Sequence, residues 1–239
     1  YIYLGDNKNA PYGVKKKKIV KEYIFNNVEY LINQGCKIIV IACNTATSIA
    51  IKDLRQKYQD ICFIGTEPAV KKAVDSNDYK KILICGTSLT IKEEKLNNLI
   101  HDLHANEKVE LLSLDKLVDF AESEKVNFNN NTLNLEVIKY LKESFKDYKI
   151  EDYSYLVLGC THFPLFKNEF KDVLGTNINI IDGSIGVVNN LKNKVLTLNK
   201  NNQNTCKIKL VITKDSKFFI NKFKTITCVN NFEVKVFDK

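Results

Sequence analysis

The chain has 239 residues, 44% of them hydrophobic and 27% charged, which is the composition of an ordinary globular protein with a sizeable core. No apolar run approaches the length of a membrane span and no signal peptide is visible, so we expect a cytoplasmic protein that has no membrane partner. The net charge of +8 comes from scattered lysines, with Arg55 as the only arginine. Nucleic-acid binding is therefore disfavoured, because phosphate and guanine recognition relies largely on arginine.

In the first part of the chain, predicted strands and helices alternate. A short strand over residues 1–4 leads into a loop that contains Pro11, Tyr12 and Gly13, and the helix after this loop ends near Gly35. A strand over residues 37–42 and a helix follow, then a strand over residues 61–65 and a helix through residue 73.

The alternation continues to the C-terminus, with strands over residues 81–85, 109–114, 155–159 and 178–181, and helices over residues 90–104, 115–124 and 133–145. Residues 127–131 are predicted as a loop, and residues 189–205 as a helix end that runs into a surface loop. The last two strands, at residues 207–212 and 232–237, flank a helix over residues 216–223. This order predicts an α/β protein with parallel sheets covered by helices.

Two of these strands end in the same pattern. A run rich in β-branched residues reaches a small residue, then a cysteine, Cys43 or Cys160, then polar residues and a helix. Each cysteine is thus predicted at the carboxyl end of a buried parallel strand, the edge where open α/β sheets bind ligands. One such cysteine is more often a small buried hydrophobe. Two in matching settings indicate a pair of thiols that face one site.

A pair of thiols suggests a specific chemistry. Asn44 or Thr45 can cap the helix after Cys43, and the positive helix end beside the thiol would lower its pKa. A thiolate accepts a proton and a thiol returns one. If Cys43 and Cys160 flank one bound molecule, one thiolate removes a proton from a carbon and the other thiol delivers a proton to the opposite face. The outcome is inversion of a stereocentre.

The role predicted for each histidine depends on the residues near it in the sequence. His162, two residues after Cys160, can exchange a proton with that thiol, although a structural, hydrogen-bonded histidine is the alternative. His101 and His104 share one helix, but no third ligand is near them in the sequence, so we assign them no metal. The seven cysteines form no CxxC pair, which argues against a zinc site or a disulfide framework.

Polar groups beside the two cysteines are suited to holding carboxylates. Asn44, Thr45 and Thr161 offer donors at predicted helix starts. Tyr12 and Gly13 lie in a tight turn and offer a hydroxyl and a backbone N–H. These five residues are the predicted substrate contacts, together with His162.

These motifs resemble those of the bacterial glutamate racemases, in the aspartate/glutamate racemase family. The likeness runs from Tyr1 to the C-terminus, and its motifs are Pro11-Tyr12-Gly13, ACNTATS at residues 42–48, Glu67-Pro68, Gly86-Thr87 and LGCTHFPL at residues 158–165.

The resemblance implies an isomerase without cofactor or metal that interconverts L- and D-glutamate for peptidoglycan. It implies a homodimer whose subunits each have two doubly wound domains, related by a pseudo-twofold axis, with the site in the cleft between them. We expect the first domain to comprise residues 1–67 and 185–239, and the second residues 68–184. In the family, the thiol matching Cys43 removes the α-proton of D-glutamate. The thiol matching Cys160 removes the α-proton of L-glutamate, and the resemblance implies that His162 assists it.

Two departures from the family pattern stand out. The family opens with a strand and an Asp-Ser-Gly turn, whereas this chain begins at the second strand, so we expect a preceding unit of about thirty residues. In the family, the second domain has a proline-bearing segment that precedes an acidic residue. Glu122, in SLDKLVDFAE at residues 113–122, is a weak counterpart because the prolines are absent.

The sequence is also compatible with other functions. The chain fits an aspartate racemase or a decarboxylase of the same superfamily. A preference among dicarboxylate substrates of different length would distinguish these enzymes from a glutamate racemase. It also fits a truncated, non-catalytic homologue that binds dicarboxylates, although such a site needs no thiol on each side. A redox sensor is disfavoured, because thiols separated by a substrate should not reach disulfide distance.

Overall fold

Strands and helices alternate along the chain, as the apolar periodicity predicts. The computed structural model describes residues 1–76, 78–124, 126, 128, 133–198 and 207–237. Up to residue 76 the elements are β1 (Ile2–Gly5), α1 (Lys17–Asn33), β2 (Ile38–Ile41), α2 (Asn44–Lys57), β3 (Cys62–Gly65) and α3 (Val70–Val74).

The middle and end of the chain continue the same pattern. A 3-10 turn precedes β6 and another precedes α8. The elements are β4 (Lys81–Gly86), α4 (Ser88–Ile91), α5 (Glu94–Asp102), β5 (Val109–Ser113), α6 (Lys116–Glu122), α7 (Leu135–Phe145), β6 (Tyr153–Leu158), α8 (Lys167–Leu174), β7 (Asn179–Asp182), α9 (Ser184–Leu198), β8 (Lys209–Ile212), α10 (Lys217–Thr227) and β9 (Glu233–Val236).

Every strand pairing among the described residues is parallel. The largest sheet has the order β5-β4-β6-β7, and two smaller sheets have the orders β1-β8-β9 and β2-β3. Parallel neighbours require crossover connections, which the helices supply. The predicted α/β class with parallel sheets is confirmed.

Helices bury the strands in four apolar clusters. Two clusters cover the large sheet: one includes Leu83, Leu156 and Phe170, and the other Ile82, Ile84 and Val157, all of them fully buried. The third packs α1 and α2 against β2 and β3, and the fourth packs α10 against β8. Because β4 and β6 are covered on both faces, they read in the sequence as continuous apolar runs.

Three local predictions have different outcomes. The helix predicted over residues 90–104 is two helices, α4 and α5, because the backbone of Glu93 is extended and its carboxylate pairs with Lys17 at 2.8 Å. Gly35 follows α1 with φ of +84°, as a helix-ending glycine should. The loop predicted at residues 127–131 lies outside the described residues except for Phe128, and so does the surface loop after residue 198.

Within the described ranges, no helix combines the length and the apolar character needed to cross a membrane.

Candidate active site

Strand β2 delivers Cys43 to the start of α2. Cys43 is itself the N-cap residue, with an extended backbone, and its Sγ accepts a hydrogen bond from the N–H of Ala46 at 3.5 Å. The prediction that Asn44 or Thr45 caps this helix is therefore wrong, because both lie within its first turn. Their side chains are buried instead, beside the thiol.

The electrostatics of Cys43 also differ from the sequence-based expectation. Burial raises the pKa of its thiol, and hydrogen bonds from Ala46 and Thr45 offset that effect only in part. The predicted lowering of the pKa is thus wrong. A helix N-terminus favours a thiolate, but removal from water opposes ionisation and is here the larger effect.

Three threonine hydroxyls form a buried cluster beside Cys43. The Oγ1 atom of Thr45 lies 3.0 Å from that of Thr90 and 3.4 Å from that of Thr87, and the last two are 3.0 Å apart. Thr45 belongs to α2, whereas Thr87 and Thr90 surround the start of α4. Gly13 packs on Thr87 so closely that a Cβ on it would lie 2.7 Å from Thr87 Cβ.

Asn44 contributes an unsatisfied acceptor. Its side chain is buried, and among the described residues its Oδ1 has no hydrogen-bond partner. An orphaned buried carbonyl carries a free-energy cost unless a ligand or water donates to it. The group therefore marks a position for a donor beside Cys43.

The second cysteine follows β6 through a glycine that has no room for a side chain. The N–H of Gly159 donates to the carbonyl of Cys85 at 2.6 Å, and a Cβ on Gly159 would lie 2.8 Å from that oxygen. Cys160 then begins the turn into a 3-10 segment, and the N–H of Phe163 donates to its carbonyl at 3.1 Å. Pro164 lies in the first turn of that segment, where its fixed φ and missing N–H are tolerated.

A chain of polar contacts supports Cys160. Its Sγ lies 3.8 Å from Nδ1 of His162, and Nε2 of the same ring lies 2.7 Å from Oε1 of Glu122. Glu122 lies at the C-terminal end of α6 and is half-buried. The side chain that the sequence indicated only weakly is therefore in contact with the histidine.

The pKa values of Glu122 and Cys160 are shifted in opposite directions. Burial on its own would raise the pKa of Glu122, but hydrogen bonds and charges of His162 and Lys222 outweigh it and hold that pKa below its usual value. Burial raises the pKa of Cys160 to about 12, against smaller lowering by the N–H groups of His162 and Phe163. The nearby Cys43 raises it further, which links the two thiols electrostatically.

Tyr12 reaches the site with its hydroxyl already engaged. The hydroxyl donates to a carboxylate oxygen of Asp6, which also accepts from Asn27 at 3.1 Å, and the other oxygen of Asp6 accepts from Thr213 at 2.7 Å. Burial and the Asp6 carboxylate raise the pKa of Tyr12.

Asp6 is a residue of the site that the sequence motifs did not predict. The available signal was its place directly after β1, at the carboxyl edge of a parallel sheet. Thr161, a predicted contact, is exposed in the turn after Cys160.

Comparison with known proteins gives one consistent result. Residues 2–189 match the Asp/Glu/Hydantoin racemase family. The glutamate racemase of Halothermothrix orenii is 47% identical over 196 residues, which are 82% of this chain and 75% of that protein. Glutamate racemase 2 of Bacillus subtilis is 46% identical over 82% of this chain and 72% of its own length. The chain belongs to the Asp/Glu/Hydantoin racemase family.

Solved structures agree with this assignment. Glutamate racemase isoform RacE1 from Bacillus anthracis superposes with a TM-score of 0.81 at 26% identity, covering 99% of this chain and 87% of the other. The Escherichia coli glutamate racemase, in complex with L-glutamate and the activator UDP-MurNAc-ala, gives a TM-score of 0.81 at 25% identity over 98% of this chain and 86% of that one.

Proposed function

We propose that this chain is a glutamate racemase, an isomerase that interconverts L- and D-glutamate and supplies the D-enantiomer for peptidoglycan. The observation that carries the proposal is the pair Cys43 and Cys160, each placed just after the carboxyl end of a parallel strand, with the charge of Cys43 also acting to raise the pKa of Cys160. Relatives at 46–47% identity bear this name.

The reaction requires one proton to leave and another to arrive. As a thiolate, Cys160 removes the α-proton of L-glutamate, while the Cys43 thiol donates its proton to the opposite face of the carbanion. The product is D-glutamate, and the two cysteines have exchanged protonation states. The reverse reaction begins with Cys43 as the thiolate. Because burial raises both thiol pKa values, a thiolate needs a local proton acceptor, and His162 is in contact with Cys160 to serve as one.

Substrate binding is assigned to the polar groups around the thiols. The unsatisfied Oδ1 of Asn44 suits a donor such as the α-ammonium group. The backbone N–H of Gly13 and the hydroxyls of Thr45 and Thr161 are suited to the carboxylates. Tyr12 contributes mainly by ordering this turn, since its hydroxyl already donates to Asp6.

The wider organisation is part of the proposal. Residues 1–67 with 185–239, and residues 68–184, form the two domains. The two clusters on the large sheet, drawn from residues 69–181 and 83–180, support the second of these domains.

A homodimer is supported by exposed apolar side chains on α9, namely Ile185, Val188 and Leu196. Light scattering should then give about twice the 27.4 kDa mass of the chain. A cytoplasmic location agrees with cysteines whose spacing fits no disulfide framework.

The test is proton NMR of L-glutamate incubated with the chain in heavy water. The α-proton signal should disappear as the enzyme exchanges it. Cys160→Ala, which lacks the thiol that removes this proton, should abolish the loss, and Cys43→Ala should abolish the formation of D-glutamate. Cys62→Ala, a half-buried thiol at the start of β3, is the matched control and should exchange like the wild type. A folded chain that leaves the glutamate signal intact would refute the proposal. Exchange of L-aspartate in its place would favour the aspartate racemase reading.

A further inference from the structure

Lys222 is a buried lysine at a place where the sequence gives no reason to expect one. It lies on α10 with 9% of its surface exposed. Lysine is almost never buried without a partner. Its Nζ donates to the backbone carbonyl of Ala121 at 2.5 Å and lies 3.3 Å from Oε1 of Glu122. The helix α10 thus places a positive charge against the C-terminal end of α6.

Two aromatic rings confine the ammonium group. Nζ of Lys222 lies 5.5 Å from the centroid of Phe128 and 5.9 Å from that of Phe218. Both distances fall within the range of cation–π attraction. An ammonium held by a carbonyl, a carboxylate and two rings has little freedom to follow a carboxylate that moves, so it fixes the position of Glu122.

The carboxylate oxygen that Lys222 contacts is the one that contacts His162. Oε1 of Glu122 lies 3.3 Å from Nζ of Lys222 and 2.7 Å from Nε2 of His162. An ionised carboxylate only accepts hydrogen bonds, so Nε2 must carry the proton that is donated. In the neutral ring, Nδ1 is then the unprotonated nitrogen, and it is Nδ1 that faces Sγ of Cys160.

We propose that Lys222 is a positioning residue for the half of the reaction carried out by Cys160, acting through Glu122 on the tautomer of His162. The inference rests on the proposed racemase function. Lys222 keeps Glu122 ionised and oriented, Glu122 holds the proton on Nε2, and Nδ1 remains able to accept the proton of the Cys160 thiol. Among the contacts of the described residues, Lys222 reaches neither sulfur.

Removal of the ammonium group reverses this chain of effects. A half-buried carboxyl without its cation shifts toward the neutral acid. A protonated Glu122 can donate to Nε2, which would move the ring proton to Nδ1, on the side of the sulfur. His162 then cannot accept the thiol proton, and Cys160 becomes the slower of the two thiols. Cys43 has no contact with Glu122 among those described and should keep its own rate.

Kinetic isotope effects distinguish the two thiols. With L-glutamate deuterated at the α-carbon, the isotope is removed by Cys160, whereas with deuterated D-glutamate it is removed by Cys43. In Lys222→Met, kcat/KM should fall roughly tenfold to a hundredfold, by analogy with the loss of a partner that orients a metal-ligating side chain. The isotope effect on kcat/KM should rise for L-glutamate and fall toward unity for D-glutamate, because transfer at Cys160 now limits both directions.

Matched variants separate positioning from folding. Lys222→Arg keeps the charge and should restore most of the activity and the wild-type isotope effects. Lys217→Met removes an exposed lysine of the same helix and should behave like the wild type. If Lys222→Met does not fold, Lys222→Gln, which keeps a donor without the charge, should show the same opposite shifts. A folded Lys222→Met or Lys222→Gln with unchanged isotope effects overturns the inference alone, whereas a wild-type chain without α-proton exchange overturns the proposed function as well.

Discussion

Sγ of Cys160 lies 3.8 Å from Nδ1 of His162, within reach of a direct proton transfer between thiol and imidazole. We therefore expect His162→Asn to lower kcat/KM for glutamate by about 10²-fold or more, since a positioned acid–base group contributes roughly that much. Circular dichroism of the glutamate solution follows the reaction directly. The control is His104→Asn, which alters an exposed residue whose positive φ asparagine tolerates. Equal activities of the two variants would contradict the assigned role of His162.

Glu122 gives a prediction for acid stability. Its pKa is lowered in the folded chain, because His162 and Lys222 outweigh the opposing effect of burial. Its contribution to stability is therefore fully present above the unfolded value, near 4.5, and is lost as the pH falls through the lower folded value. Glu122→Gln should reduce the free energy of unfolding by about 1.5–3 kcal/mol at pH 7, the range for hydrogen bonds to charged groups.

Urea unfolding at a series of pH values measures this difference. The loss caused by Glu122→Gln should shrink steadily once the pH falls below 4.5. Glu107→Gln, at an exposed turn, provides the reference for a carboxylate in solvent. A loss that stays constant from pH 7 into the acid range would show that the charge of Glu122 does not stabilise the fold.

The pKa shift of Cys160 predicts a contribution to stability that is lost at alkaline rather than acid pH. Burial raises the pKa of its thiol from 9.0 to about 12, so the folded chain holds a proton that the unfolded chain releases. The stability contributed by this neutral thiol is fully present below pH 9.0 and is lost as the pH rises toward 12. Serine does not titrate in this range. The free-energy difference between wild type and Cys160→Ser, measured in urea under reducing conditions, should therefore move against the wild type from pH 9 upward. A difference that is independent of pH would refute the raised pKa.

The sequence was sufficient for the parts of the site that depend on local pattern. Apolar runs predicted the strands, and the residues after β2 and β6 predicted where Cys43 and Cys160 would lie. The identity of the α2 cap was not predictable in this way. Propensity favours Asn44 or Thr45, but the chain turns one residue earlier and buries both side chains. The same burial reversed the expected pKa shift of Cys43.

Contacts between distant segments were the other part that local pattern could not supply. Lys222 meets Glu122 across 100 positions of sequence, and Thr213 meets Asp6 across 207. A lysine on an amphipathic helix is ordinarily read as a solvated residue. Only the packing of α10 against the end of α6 shows that its ammonium is enclosed.

Gly13 offers a test of how closely the two parts of the site must approach. A Cβ at this position would lie 2.7 Å from Cβ of Thr87, and no real pair of such atoms comes that close. Gly13→Ala should therefore push the turn away from α4, with a cost of about 1–3 kcal/mol in stability. We expect activity to fall about tenfold or more, because a small displacement of positioning groups is expensive in catalysis. The reference is Gly186→Ala within α9, where no atom beyond the adjacent residues and the helix's own backbone lies within 4 Å of the added Cβ. That change should raise stability by about 0.5–1 kcal/mol, as alanine does in helices. Thermal unfolding and the glutamate assay on both variants decide the matter, and a Gly13→Ala protein as stable and as active as the wild type would show that the turn does not need to contact Thr87.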